Sequence, residues 1–96
     1  MTKQSAVYIL TSNKNNVLYI GVTSDLIKRV WQHKNGSFKG FSKKYNVSKL
    51  VYFEQHQSME EAIVREKQLK YWKRDWKERI IEENNPEWHD LYDQLL

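Results

Sequence analysis

Two short apolar stretches open the chain, Ala6-Val7-Tyr8-Ile9-Leu10 and Val17-Leu18-Tyr19-Ile20-Gly21, and the polar Ser12-Asn13-Lys14-Asn15-Asn16 between them predicts a hairpin. Its register decides where the two tyrosines point. Pairing Thr11 with Asn16 sets Tyr8 directly opposite Tyr19 on one face, whereas pairing Thr11 with Val17 sends the rings to opposite faces; the first is favoured. Thr23-Ser24-Asp25 then predicts a helix start, with Ser24 as the cap and Asp25 in the first turn, where the macrodipole favours a carboxylate. The helix runs to about Asn35, and Gly36 supplies a left-handed stop. Leu26, Ile27, Val30 and Trp31 give it an apolar side, while Arg29 and His33, four positions apart, lie one above the other on another side.

From Lys34 to Ser48 neither period is visible, and the stretch reads as a long basic loop. Leu50-Val51-Tyr52-Phe53 is apolar at every position and predicts a third strand, placed centrally for that reason. Ser58-Met59-Glu60-Glu61 is a capping box opening a second helix. Its apolar stripe, Met59, Ala62, Ile63, Leu69 and then Tyr71 or Trp72, is interrupted by Glu66. A carboxylate in line with core positions must pair, bind a cation or protonate. One reading of it is an ordinary ion pair with Lys67 or Lys70; the other is a functional carboxylate. A further helix from about Arg74 to Glu83 turns Trp76, Ile80 and Ile81 inward, and Asn85-Pro86 starts a last one with Asn85 as cap and Trp88, Leu91, Tyr92 and Leu95 on one face.

Ninety-six residues suffice for one domain with a modest core, so residues 1–96 are expected to form a single domain of the α+β class. No apolar run reaches the length of a membrane span, and a secretion signal is absent from the start of the chain, which predicts a cytoplasmic protein. With no cysteine, disulfides and thiolate zinc sites are excluded. The net charge of +4 is unevenly spread: residues 1–57 carry nine Lys/Arg against two acids, and residues 58–96 carry seven against ten. The first half is the expected face for a polyanion. Lys39, Lys43, Lys44, Phe41 and Tyr45 of the basic loop combine cations with rings able to stack on bases, and the acidic stretch after Ile80 is expected to face away from nucleic acid.

Taken together, the two tyrosines, the intact Tyr19-Ile20-Gly21, Arg29, His33 and the helical Glu66 resemble the GIY-YIG endonuclease superfamily. Leu50-Val51-Tyr52-Phe53-Glu54, Arg65-Glu66-Lys67-Gln68-Leu69-Lys70 and Asn85-Pro86-Glu87-Trp88 are similar to its small stand-alone bacterial branch, called YhbQ-like. The resemblance implies a three-stranded antiparallel sheet flanked by helices and a metal-dependent endonuclease, acting in DNA processing or repair with little sequence specificity. It implies catalytic roles for Tyr8, Tyr19, Arg29, His33 and Glu66. By that resemblance Tyr8 would be the proton acceptor for the attacking water with Tyr19 beside it, Arg29 would steady the scissile phosphate, His33 would hydrogen-bond a tyrosine, and Glu66 would hold one weakly bound Mg²⁺ or Mn²⁺. The expected partner is nucleic acid, DNA rather than RNA, met by a monomer. Two departures point to the alternative of a catalytically weak or inactive nucleic-acid-binding module. The first motif reads Ala6-Val7-Tyr8 without its usual glycine, and Glu78 stands in the neighbourhood where many relatives carry an asparagine, with Asn84 and Asn85 later.

Overall fold

The computed structural model describes residues 4–36 and 45–96. Three strands, β1 (Ser5–Thr11), β2 (Leu18–Thr23) and β3 (Lys49–His56), form one antiparallel sheet in the order β2-β1-β3. Among the described residues four helices accompany it: α1 (Leu26–Lys34), α2 (Met59–Tyr71), α3 (Arg74–Asn84) and the short α4 (Tyr92–Leu95). The α+β class and the three-stranded sheet are as expected.

The central strand, however, is β1, not β3. From Ala6 to Thr11 every residue of β1 is buried, because the strand is paired on both edges and covered on both faces. The unbroken apolar run of β3 has two other causes. A bulge opposite Ile9 and Leu10 breaks the alternation, so the consecutive Val51 and Tyr52 pack on one face, while Leu50 and Phe53 pack on the other. The outer edge of β3 is also covered by the C-terminal segment. Leu91 N donates to Leu50 O at 2.7 Å, Leu50 N donates to Asp90 Oδ1 at 3.2 Å, and Asn85 Nδ2 donates to Val51 O at 3.1 Å.

Two cores flank the sheet. Val7, Ile9, Ile20 and Val51 pack with Ala62 and Leu69 of α2, Ile81 of α3, and Trp88. Ala6, Tyr8, Leu10 and Leu50 pack with Leu26 and Val30 of α1 and with Val47, joined by half-buried Tyr19, Phe53, Leu91, Tyr92 and Leu95. Each fully buried Leu or Ile here contributes about 1.5–3 kcal/mol through removal of apolar surface from water.

The hairpin register differs from the favoured one by two residues. Thr11 pairs with Leu18 rather than Asn16, and Tyr8 lies opposite Gly21, with Tyr19 opposite Leu10. The connection is longer because its polar residues satisfy one another. Thr11 Oγ1 donates to Val17 O at 2.7 Å, Asn15 N donates to Ser12 O at 2.9 Å, and Asn15 takes a positive φ of 58°. From outside, the Arg74 guanidinium donates to Asn16 O at 2.9 Å and Asn15 O at 3.0 Å. A shift of two preserves the side-chain alternation, so both tyrosines still occupy one face.

Helix boundaries bring further corrections. Asp25, not Ser24, caps α1: its carboxylate accepts from Lys28 N at 3.3 Å, and Thr23 Oγ1 in turn accepts from Asp25 N at 3.0 Å. Ser58 caps α2 as expected, accepting from Glu61 N at 3.2 Å, and Gly36 takes the predicted left-handed stop. Trp72, not Tyr71, continues the α2 stripe. Ile81 is the buried residue of α3, whereas Trp76 is exposed. Asn85 starts no helix. It closes α3 and is buried, with its Nδ2 donating to His89 O at 2.8 Å and its Oδ1 accepting from His89 N at 2.9 Å. Among the described residues no helix is long and apolar enough to cross a membrane.

Candidate active site

The Tyr8 ring lies across Gly21 of the neighbouring strand. A Cβ built on Gly21 would sit 2.4 Å from the Tyr8 hydroxyl and 2.5 Å from Cζ, so only glycine admits the ring there. That close approach explains the glycine of Tyr19-Ile20-Gly21. On the same face the Tyr8 and Tyr19 rings stand 6.3 Å apart, a diagonal contact across the strand pair.

Helix α1 crosses this face and brings in His33 and Arg29. His33 is buried, and its Nε2 lies 3.2 Å from the Tyr8 hydroxyl, within hydrogen-bonding distance. Its ring centroid is 5.9 Å from that of Tyr8 and 5.3 Å from that of Tyr19, so the three rings form one cluster. Burial, with the Arg29 charge added, lowers the His33 pKa to about 4, and the imidazole is neutral at pH 7. Burial likewise raises the Tyr8 pKa well above 10, and Tyr19 adds to the rise. Arg29 opposes it through its charge and a hydrogen bond, while the Glu66 charge is the smallest of these influences and raises it further. The four-residue spacing of Arg29 and His33 therefore does place both on one phenol.

Glu66 lies on α2, which packs against the other face of the sheet, so it reaches Tyr8 through its field rather than through a contact. Its carboxylate is largely covered, and Lys70 Nζ lies 3.6 Å away. Glu78 is held by Arg74 Nε at 2.7 Å, and Asn85 spends its amide on Val51 and His89. Neither stands as a phosphate ligand beside Tyr8. Tyr45 is exposed, and Lys39, Phe41, Lys43 and Lys44 lie outside the described residues.

The sequence reading missed Lys28 and Gln32. With Thr23, Ser24, Asp25 and Arg29 they line a polar hollow of about 220 Å³ beside the ring cluster. Their signal was available, since Lys28 and Gln32 repeat the spacing of Arg29 and His33 one position earlier.

A family model described as the GIY-YIG catalytic domain matches residues 4–79, which include all five of Tyr8, Tyr19, Arg29, His33 and Glu66. The chain belongs to the GIY-YIG family. Among GIY-YIG relatives, a UPF0213 protein of Staphylococcus saprophyticus is 34% identical over 77 residues, covering 80% of this chain and 93% of that one. A UPF0213 protein of Clostridium perfringens is 39% identical over 75 residues, covering 78% of this chain and 80% of that one. The solution NMR structure of a UPF0213 protein from Bacillus halodurans superposes with a TM-score of 0.57 at 25% identity, over 91% of this chain and 92% of that one. The resemblance to the small YhbQ-like branch is thus borne out, and membership of the GIY-YIG family places the chain in a nuclease superfamily.

Proposed function

We propose that the chain is a divalent-metal-dependent endonuclease that hydrolyses nucleic-acid phosphodiester bonds, with DNA as its substrate and the cytoplasm as its compartment. The observation that carries this reading is the convergence on one phenol: Tyr8 receives His33 at 3.2 Å, the charge and hydrogen bond of Arg29, the Tyr19 ring, and the field of Glu66. Arg29 offers a planar fork of donors matched to phosphate oxygens. Tyr8 takes the proton of the attacking water. His33, neutral, fixes the direction of the Tyr8 hydroxyl, and Tyr19 shields the pair from bulk water.

Among the described residues no group of three or more His, Asp or Glu side chains could cage a metal. Glu66 fits the lighter arrangement that Mg²⁺ accepts, in which one carboxylate is completed by waters and substrate phosphate, with Lys70 covering the carboxylate otherwise. When bound there, the ion supplies positive charge to the phosphate and the leaving oxygen. The displacement of the relatives' asparagine by an ion-paired Glu78 favours slow turnover as a second reading, in which binding outweighs cutting.

Supercoiled-plasmid nicking with Mg²⁺ or Mn²⁺ tests the proposal. Wild-type protein is expected to nick, and chelation, Tyr8→Phe, Arg29→Ala and Glu66→Gln are each expected to reduce nicking at least tenfold. Nicking that survives all three substitutions refutes the assignment.

A further inference from the structure

All seven Lys and Arg residues of the second half fall between Arg65 and Arg79, against Glu66, Asp75 and Glu78, so a net +4 stretch is hidden inside a half whose net charge is −3. Tyr71, Trp72 and Trp76 lie in the same stretch. The fold gathers it at the corner between α2 and α3. There the Trp72 and Trp76 rings meet edge to face at 5.8 Å, and the Arg65 guanidinium stands 5.1 Å from the Trp72 centroid. Arg65 is fixed in place: its Nε donates to Glu54 Oε1 at 2.8 Å, and Glu54 also accepts from the Tyr52 hydroxyl and lies 2.8 Å from His56 Nε2. Trp76, Arg79, Ile80 and Glu83, at helical spacing on α3, complete a groove of about 330 Å³.

Trp76 is 54% exposed over this groove, and Arg79 has no ion-pair partner among the described residues. We propose that the groove is a second nucleic-acid subsite, in which an unpaired base stacks on Trp76 while Arg79 takes a flanking phosphate and Lys73, which caps the start of α3 next to Trp72 in sequence, adds positive charge. A pre-positioned ring beside free cations matches the way single strands are held, and a groove at the small end of ligand pockets suits one planar group. Glu83 in its wall can accept from an exocyclic base amine. Bases stacked within a duplex have no face to offer the groove. Substrates with unpaired nucleotides are therefore preferred over blunt duplex. Arg65 and Glu66 are consecutive on α2, with Arg65 bound to β3 and Glu66 acting on Tyr8. The groove and Glu66 accordingly share α2, while Tyr8 and His33 lie on the opposite face of the sheet.

This subsite rests on the reading that the chain acts on nucleic acid, and its test separates the two. Fluorescence anisotropy of the full chain, in chelator at low salt, is titrated against a labelled single-stranded oligonucleotide and a blunt duplex of equal length. Trp76→Ala is expected to weaken single-strand binding about tenfold while leaving the duplex within about twofold. Trp76→Phe should retain most of the affinity, and Arg79→Glu, which leaves the ring in place, should reproduce the selective loss. Equal losses on both substrates, or no loss with either variant, overturn the subsite. Selective loss without any plasmid nicking would leave the subsite standing and the nuclease reading refuted. Glu66-dependent nicking without selective loss would do the reverse.

Discussion

Gly21→Ala adds one methyl group where the structure has no room for it. The new Cβ would lie 2.4 Å from the Tyr8 hydroxyl, whereas ordinary van der Waals contact begins at 3.4 Å, so the ring must retreat by about 1 Å. Tyr8 is wholly buried between strands and α1, and its hydroxyl is held at 3.2 Å from His33. Retreat therefore strains a packed core, which costs about 1–3 kcal/mol of stability. It also carries the hydroxyl away from His33 and Arg29, and a 1 Å misplacement of a reacting group lowers turnover by about a hundredfold. Urea melts measure the first effect, and plasmid nicking at a temperature where the variant stays folded measures the second. In a Tyr8→Leu background, which removes the colliding hydroxyl and ring atoms, the stability cost of Gly21→Ala should largely disappear. Wild-type stability together with wild-type nicking in Gly21→Ala would refute the account of why this strand needs glycine.

Three other outcomes follow from the same geometry. His33 has a pKa of about 4 in the folded chain against about 6.5 unfolded, so the unfolded state binds the extra proton first; stability should be constant above about pH 6.5, fall as pH drops toward 4, and level off below it. The full loss is about 3 kcal/mol, and urea midpoints of His33→Asn should lack that part of the slope. Asn85→Ala strips partners from Val51 O and His89 behind the edge of β3 and should cost about 2–4 kcal/mol in a thermal melt, with nicking by the folded variant unchanged. If Tyr8 phenolate is the base, its raised pKa predicts a nicking rate that climbs about tenfold per pH unit from 6 to 9; a flat profile over that range excludes it.

What could be read from the sequence was largely what depends on alternation and spacing. The faces of Tyr8 and Tyr19 were legible although the register was not. Parity follows from the apolar pattern, whereas register depends on how Thr11, Ser12, Asn15 and Asn16 hydrogen-bond within their own turn. Arg29 and His33 were legible for the same reason, being fixed by helical geometry alone. The place of β3 was misread because an apolar run looks the same whether a strand, a bulge or a covering C-terminal segment buries it. Spacing alone places Trp76 in the core, because nothing in the stripe distinguishes it from Ile80 or Ile81. Its exposure is decided by where α3 meets α2. The basic stretch from Arg65 to Arg79 is masked at the scale of half the chain by the acids on either side of it.

The two shifted groups at the centre of the site have one cause in common. Burial disfavours charge, and it drives Tyr8 and His33 toward the same neutral pair from opposite directions. A phenol at its ordinary pKa of about 10 already needs about 4 kcal/mol to become phenolate at pH 7, and burial adds to that. Passing the Tyr8 proton to a histidine with a pKa of about 4 offers no relief, since it crosses at least six units, or about 8 kcal/mol. On the proposed mechanism His33 is thus an orienting partner for the Tyr8 hydroxyl, not the base that activates it. The missing stabilisation has to come from positive charge. A unit charge about 5 Å away at an effective dielectric near 20 contributes roughly 3 kcal/mol, and Arg29 already lowers the Tyr8 pKa without overcoming burial. One arginine falls short of the need, so on the proposed mechanism further positive charge would have to add to it. Glu66 has only a small part in this: its charge is the weakest of the influences on Tyr8, and pairing it with a cation would remove that part alone. Tyr8 and His33 are therefore held neutral chiefly by burial, with Glu66 adding least to the Tyr8 shift.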